Sequence, residues 1–525
     1  MKPFLLKHGF LVLLIVNTLL VLLCLAVFDV YYILDDDVIM LWISSGHYLG
    51  SPDFHLVFIN AIYGWIVSTL YRCVPFIEWY TIFLLAFHVL SFSIIQRCII
   101  KSKWSRFGKI VSAFAVIIAE FYLILSLTFT TTAGMMATAS FLLIYERTNK
   151  NYVFGVLLFA LASLLRFSSA MLVGIIFLSF YPLHVYLMKY SRIQFLWLCM
   201  CVVLAVGFKF VDRIMYRMDE KWECYYQINK ARGGINDHIQ WRRTLEDLPD
   251  NVIESDINLF NLFFFRDGQI FDKSTLKKLH KTMNDRTSYK SIPCVLKIKC
   301  VPVFFKQYSK YWIALFPIVL LLLFTVREKK WFGLYYLIPV IALPLVTSMI
   351  SLDYMVKERA FLCAYLPFVV YSFMMSSMFI MRHDRLIGLS MVMCMLPMLN
   401  ATCLRLDRKE SDNPERESLV LFIKENNKRP ILLCWPFEGN VMTVSQHYID
   451  YSSNGWTFGM PERIQIERFS DLVDDENLVI VIERERDSLF FSELESSISF
   501  HYGIKAKPIT LFESENYRIY KLISE

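Results

Sequence analysis

Leu34-Asp35-Asp36-Asp37 follows an apolar run from Phe10 to Val30. Three consecutive carboxylates at the mouth of a membrane helix repel one another and are costly to bury. A charge beside hydrocarbon is by default a functional-site hypothesis. The plainer reading makes the triplet the wet end of a helix, since acidic loop residues are cheap on the outer side. What decides between the two is what the rest of the chain brings to the same face.

The chain has 525 residues, 56% hydrophobic and only 19% charged. Soluble domains carry about 25% charged residues. Apolar runs recur from Phe10 to Leu404, so the composition is that of a multi-pass membrane protein. The net charge of +7 comes from short basic clusters at helix ends. The positive-inside rule explains such clusters, and they are no nucleic-acid signature. The twelve cysteines have no metal-like spacing. Cys24, Cys199, Cys201, Cys363 and Cys394 sit in apolar runs and read as packing residues. Cys294 and Cys300 share a polar loop, where a disulfide and free thiols both remain open. The first run is too long for a signal-peptide core and has no small-x-small cleavage site. It reads as an uncleaved first span with a cytoplasmic N-terminus.

Topology turns on His55–Tyr71. If this stretch spans, Lys101, Lys103, Arg106 and Lys109 fall on the outer face, against the rule. If it lies flat on the outer surface, they fall inside. His55, Asn60 and Ser68 interrupt its apolar character, and Tyr63, Trp65 and Tyr71 suit an interface. The flat reading puts every basic cluster between spans inside and gives about eleven membrane helices. The domains are then a membrane module (1–214) with an acidic first outer loop, a large extracytoplasmic loop (215–306), further membrane helices (307–404) and a soluble extracytoplasmic domain (405–525). In that last domain Ile431–Cys434 and Leu478–Ile482 read as buried strands, Tyr517–Leu522 as an edge strand and Glu415–Asn427 as a helix, which makes a small α/β unit. No nucleotide-binding glycine loop is present, and Gly233-Gly234 reads as a turn.

Four features share the outer face under this topology. They are the acidic triplet, His47 and His55, the loop Asp353–Arg359, and Arg166. Carboxylates can deprotonate an acceptor or hold a divalent cation with waters. Lysine and arginine bind phosphate. Both kinds on one face suggest chemistry on a phosphorylated lipid. Each has a bland alternative: Lys357 and Arg359 snorkelling to headgroups, Arg166 capping a helix, the histidines as polar surface. Glu120 lies within a span, with a structural partner and a substrate contact equally open. Phe263–Phe265 reads as either an interfacial dip or loop core.

An acidic pair beyond the first helix, followed by a flat helix and a span, resembles the GT-C class of membrane glycosyltransferases. Asp36-Asp37 sits where that class carries its acidic motif, and Pro52 to Val74 is similar to its flat juxtamembrane helix. Ser163–Phe167 resembles its arginine-bearing segment, and Lys357–Phe361 through Tyr365-Leu366-Pro367 its late outer loop. More narrowly, Asp36-Asp37 with Ser45–Pro52 and Trp79-Tyr80 resembles a group of bacterial multi-pass membrane proteins. Glu254–Phe260 and Phe264–Asp267 carry the same likeness. The resemblance implies a GT-C-like helical fold in a bacterial inner membrane. It also implies transfer of a sugar from a polyprenyl-phosphate donor to a lipid or glycan acceptor at the outer face. Asp36 or Asp37 would be the general base. Lys357 and Arg359, with Arg166 as a weaker candidate, would bind the donor phosphate. Asp35, His47, His55 and Glu120 are further candidates for substrate contact. The competing readings are a transporter or flippase of lipid-linked sugar and a non-catalytic envelope assembly protein.

Overall fold

The computed structural model describes residues 2–236, 251–265, 267–279, 300–324, 330–353, 356–377, 384–406, 414–434, 439–445, 448–453, 455–457, 459–461 and 467–525. Cys294, Tyr354 and Met355 lie outside these residues, and with Cys294 lies the question of its pairing with Cys300.

The chain is an α-helical multi-pass membrane protein with a small C-terminal sheet domain. Among the described residues, eight helices are long and apolar enough to cross a bilayer. Three shorter apolar helices, Phe129–Tyr145, Asn149–Leu165 and Ser309–Leu323, complete the set read from the sequence. The first nine helices are α1 (Lys2–Val27), α2 (Asp35–Ser45), α3 (Ala61–Cys73), α4 (Trp79–Lys101), α5 (Arg106–Leu125), α6 (Phe129–Tyr145), α7 (Asn149–Leu165), α8 (Phe167–Met188) and α9 (Arg192–Arg217).

Every residue of α6 is buried. Its run of Ala, Gly, Ser and Thr lets neighbours approach closely, as small residues do between membrane helices. A Cβ on Gly134 would come within 2.8 Å of Cys363 Sγ on the Glu358–Ser377 helix. α4, α7, α8 and that helix pack around α6. Leu19 and Leu23 of α1 and Leu196 and Phe210 of α9 instead point outward from the bundle, where acyl chains would meet them.

The stretch expected as a flat helix from His55 is helical only from Ala61 to Cys73, because Asn60 caps the helix by accepting from Ile62 N at 3.0 Å. Its 13 residues are ~20 Å long, too short to cross a ~30 Å hydrocarbon core. Residues 55–60 form an irregular segment packed against α3. Phe54 O lies 2.1 Å from where a Cβ on Gly64 would stand, so only glycine fits there.

The C-terminal domain carries a five-stranded sheet in the order β4-β3-β5-β7-β6. β3 (Arg429–Leu432), β4 (Ser452–Ser453) and β5 (Leu478–Glu483) run parallel, and β6 (Ala506–Glu513) and β7 (Tyr517–Ser524) antiparallel. β7, expected at an edge, lies between β5 and β6. Its buried residues, Ile519 and Leu522 among them, pack into the domain core. Gly233-Gly234, read as a turn, lies within the Glu220–Asn236 helix.

The large loop docks on this domain through two buried aspartates. Asp256 accepts from Ser497 Oγ at 2.6 Å and pairs with His501 Nε2 at 2.9 Å. Asp267 accepts from Phe469 N at 2.7 Å and Tyr502 OH at 2.5 Å. Phe264 stacks on Phe469 and Phe265 is buried, so of the Phe263–Phe265 run these two are loop core, while Phe263 is exposed.

Candidate functional site

The three aspartates do not trail from a helix end; they start a helix. They fill the first turn of α2, where carboxylates suit the positive end of the helix dipole. α2 ends at Gly46, whose φ of 91° few other residues would adopt.

The three side chains go to different places. Asp37 is fully buried. Its Oδ1 accepts from Phe129 N at 2.9 Å and from Tyr80 OH at 3.0 Å. Phe129 opens α6, so Asp37 ties two helix starts together. Burial pushes its carboxyl up to about 7, against the downward pull of the Phe129, Thr128 and Tyr80 hydrogen bonds. Asp36 Oδ2 accepts from Arg359 Nη2 at 3.0 Å, with both side chains nearly buried (12% and 13% exposed). Asp35 accepts from Asp36 N at 3.1 Å. Burial and the Asp36 charge push its carboxyl up to about 6, while Lys357 and Arg359 pull it down.

Arg166 sits between α7 and α8 and donates to Phe58 O at 3.3 Å. Its guanidinium lies 5.4 Å from the Phe58 ring centre and 5.2 Å from that of Phe129. Burial, then the neighbouring Arg359 charge, lowers its ordinary value to about 10, so it stays charged. Lys357 is exposed just before the Glu358–Ser377 helix, and its carbonyl accepts from Ala360 N and Phe361 N. Glu358 turns away to Tyr311 OH and Lys310. Cys363 Sγ approaches Thr130 O at 3.4 Å, closing the contact between that helix and α6.

Four helix N-termini therefore converge: those of α2, α6, α8 and the Glu358–Ser377 helix. Backbone N–H groups and dipoles at such ends favour anions. Asp37 Oδ2, Arg359 Nη1, Arg166 Nε and Thr130 Oγ1 are buried there without a hydrogen-bond partner among the described residues. Leaving a buried polar atom unpaired costs about 1–3 kcal/mol. A set of them at one junction suits a polar ligand.

The other candidates have partners of their own. His55 is buried, pairs through Nδ1 with Asp53 at 2.8 Å and stacks on Trp222. Its Nε2 is buried without a partner among the described residues. His47 is exposed, bonds Ser45 Oγ at 2.8 Å and meets the Tyr448 ring. Glu120 accepts from Gln96 Nε2 at 3.0 Å, and Gln96 in turn accepts from Asn17, so the carboxyl has a structural partner within the bundle. Among the described residues no group of three or more His, Cys, Asp or Glu side chains is placed to hold a metal.

Sequence reasoning put neither Tyr80 nor the tail at the site. Tyr80 had a signal, a tyrosine in the first turn of a span. The tail's share was invisible: Tyr32 N donates to Gly439 O at 2.7 Å, and Tyr448 and Tyr451 set their rings edge-on to Trp42 of α2. The parallel pairing of β1 (Tyr31–Tyr32) with β2 (Ser126–Leu127) holds the first loop against the start of α6.

No family model and no curated protein matches this chain. Among solved structures it is similar to the crystal structure of ArnT from Cupriavidus metallidurans bound to undecaprenyl phosphate. The identity is 9%, the TM-score 0.41, and 98% of each chain is covered. At that identity and score the likeness adds nothing to the reading of the site.

Proposed function

We propose that this protein transfers a sugar from a polyprenyl-phosphate donor to an acceptor hydroxyl at the membrane surface, as a glycosyltransferase of GT-C type. The observation that carries the proposal is the Asp36–Arg359 pair set among four helix N-termini, with Arg166 behind it. A carboxylate and a guanidinium lie 3.0 Å apart there, the two groups that such a transfer needs as base and phosphate binder. Asp36 takes the proton of the acceptor hydroxyl. The acceptor oxygen bonds to the anomeric carbon, and the bond from that carbon to the phosphate oxygen breaks. The electron pair leaves with the polyprenyl phosphate, whose developing charge meets Arg359, Lys357 and Arg166. When the donor phosphate draws Arg359 away, Asp36 loses its counter-ion and its oxygen is free to meet the acceptor hydroxyl. Asp37 gives its Oδ1 to Tyr80 and Phe129 and so positions the turn, while its unpaired Oδ2 stays available to the ligand.

The test is genetic and chemical. Deleting the gene should remove a surface glycan or build up a lipid-linked intermediate, and wild-type protein should restore it. Asp36→Asn should not. Wild-type glycans from a well-expressed Asp36→Asn/Asp37→Asn protein would sink the catalytic assignment.

A further inference from the structure

α4, α6 and the Glu358–Ser377 helix begin beside the aspartates, at Tyr80, Phe129 and Arg359. Their other ends meet 17 to 23 residues later, which is ~25–35 Å away. A recess of about 320 Å³ opens there, on the opposite face of the bundle. That volume is at the low end of ligand pockets, which run from about 300 to 1,000 Å³.

Lys101, Ser102, Lys103, Glu146 and Thr148 line it. Glu146 is already neutralised: its Oε2 accepts from Arg97 at 2.9 Å, Lys101 at 3.1 Å and Asn151 at 2.6 Å. Lys103 is exposed and makes no hydrogen bond or ion pair among the described residues. Ser102 is only 8% exposed, and its hydroxyl has no partner among the described residues. Thr148 caps α7 by accepting from Asn151 N at 3.3 Å, so the positive end of a 17-residue helix also faces the recess. A buried hydroxyl, the unpaired Lys103 and a helix N-terminus suit an anion.

We propose that this recess binds the phosphate of an anionic phospholipid headgroup, in the leaflet opposite the aspartate site. A lipid fits better than a soluble phosphate because Ile100 and Phe107, exposed apolar residues at the adjoining helix ends, offer a path for acyl chains. Lys109 and Lys150 add basic charge at the same helix ends, as basic segments facing an anionic leaflet do. The inference does not depend on the reaction proposed above.

Native mass spectrometry of the full-length protein in detergent tests it, with dioleoyl phosphatidylglycerol, dioleoyl phosphatidylcholine or inorganic phosphate added. Wild type should retain phosphatidylglycerol in preference to phosphatidylcholine, and excess inorganic phosphate should not displace it. Lys103→Glu, which leaves the Glu146 pairs intact, should reduce retention by about fivefold or more. Ser102→Ala should weaken it while keeping both lysines. Lys221→Glu, at an exposed lysine beside Trp222 at the other face, should leave it unchanged. Undiminished retention in both Lys103→Glu and Ser102→Ala would overturn the site. Displacement by inorganic phosphate would overturn the lipid as its ligand.

Discussion

Asp36 and Arg359 face each other across more than 320 residues of chain, and each makes the other tolerable in a nearly closed site. Breaking one side of a buried pair costs about 3–5 kcal/mol, because the partner charge is left uncompensated. Arg359→Ala is therefore expected to lower the melting temperature as well as abolish transfer. Asp36→Asn/Arg359→Gln should recover most of the stability and none of the activity, as denaturation and turnover assays would read. The pH response follows from Asp35 at about 6 and Asp37 at about 7. Both lie above the ordinary carboxylate value of about 3.9, so the folded protein keeps protons that the unfolded chain has lost. Their stabilising contribution is full at low pH and falls away as pH rises from about 4 to about 7. In turnover the sign is opposite: kcat/KM should rise between pH 6 and 7 as Asp35 and Asp37 ionise and their negative charge favours drawing the proton off the acceptor. Tyr80→Phe removes a donor to the Asp37 carboxylate, so its carboxyl should move higher still and the rising limb with it. An unmoved limb would mean that Asp37 does not govern the profile.

At the scale of elements, close approach rather than charge holds the site's frame. α3 lies against the 54–56 segment at Gly64, where a Cβ would meet Phe54 O at 2.1 Å. Gly64→Ala should push that segment away, loosening the Phe58 carbonyl that holds Arg166. The expected outcome is a loss of about 1–3 kcal/mol from overpacking, read in thermal melts, with transfer activity falling further than stability. The helices themselves were readable because a membrane span needs a long apolar run. α2 was not, since three aspartates in a row look like a loop until a second helix start, at Phe129, is brought up to use one of them. The C-terminal edge strand was misjudged for a related reason: alternation in Tyr517–Leu522 marks a strand but not its neighbours.

At the scale of the molecule, the loop and the tail form one unit resting on the membrane helices. Asp256 and Asp267 bind the loop to the tail, and Gly439, Tyr448 and Tyr451 bind the tail to the first loop beside the aspartates. Asp267→Ala would leave Phe469 N and Tyr502 OH without their acceptor, at about 1–3 kcal/mol. Limited proteolysis should then cut the tail while the helices stay protected. If the tail stays as resistant as in wild type, Asp267 is not what anchors it.

Hydrophobic length and the distribution of basic residues determined from sequence alone that this is a multi-pass helical protein with a small C-terminal α/β region. Those signals are local: a run long enough for a bilayer, and a cluster of lysines at its end, need no partner to be recognised. The sequence also marked Asp36, Asp37, Arg166, Lys357 and Arg359 as a group worth bringing together. Only the tertiary structure decided that Asp36 faces Arg359 while Asp37 is spent on Phe129 and Tyr80. It alone gave His55 to Asp53 and Glu120 to Gln96. A side chain's partner depends on which helix ends are packed side by side, and here those ends lie far apart along the chain.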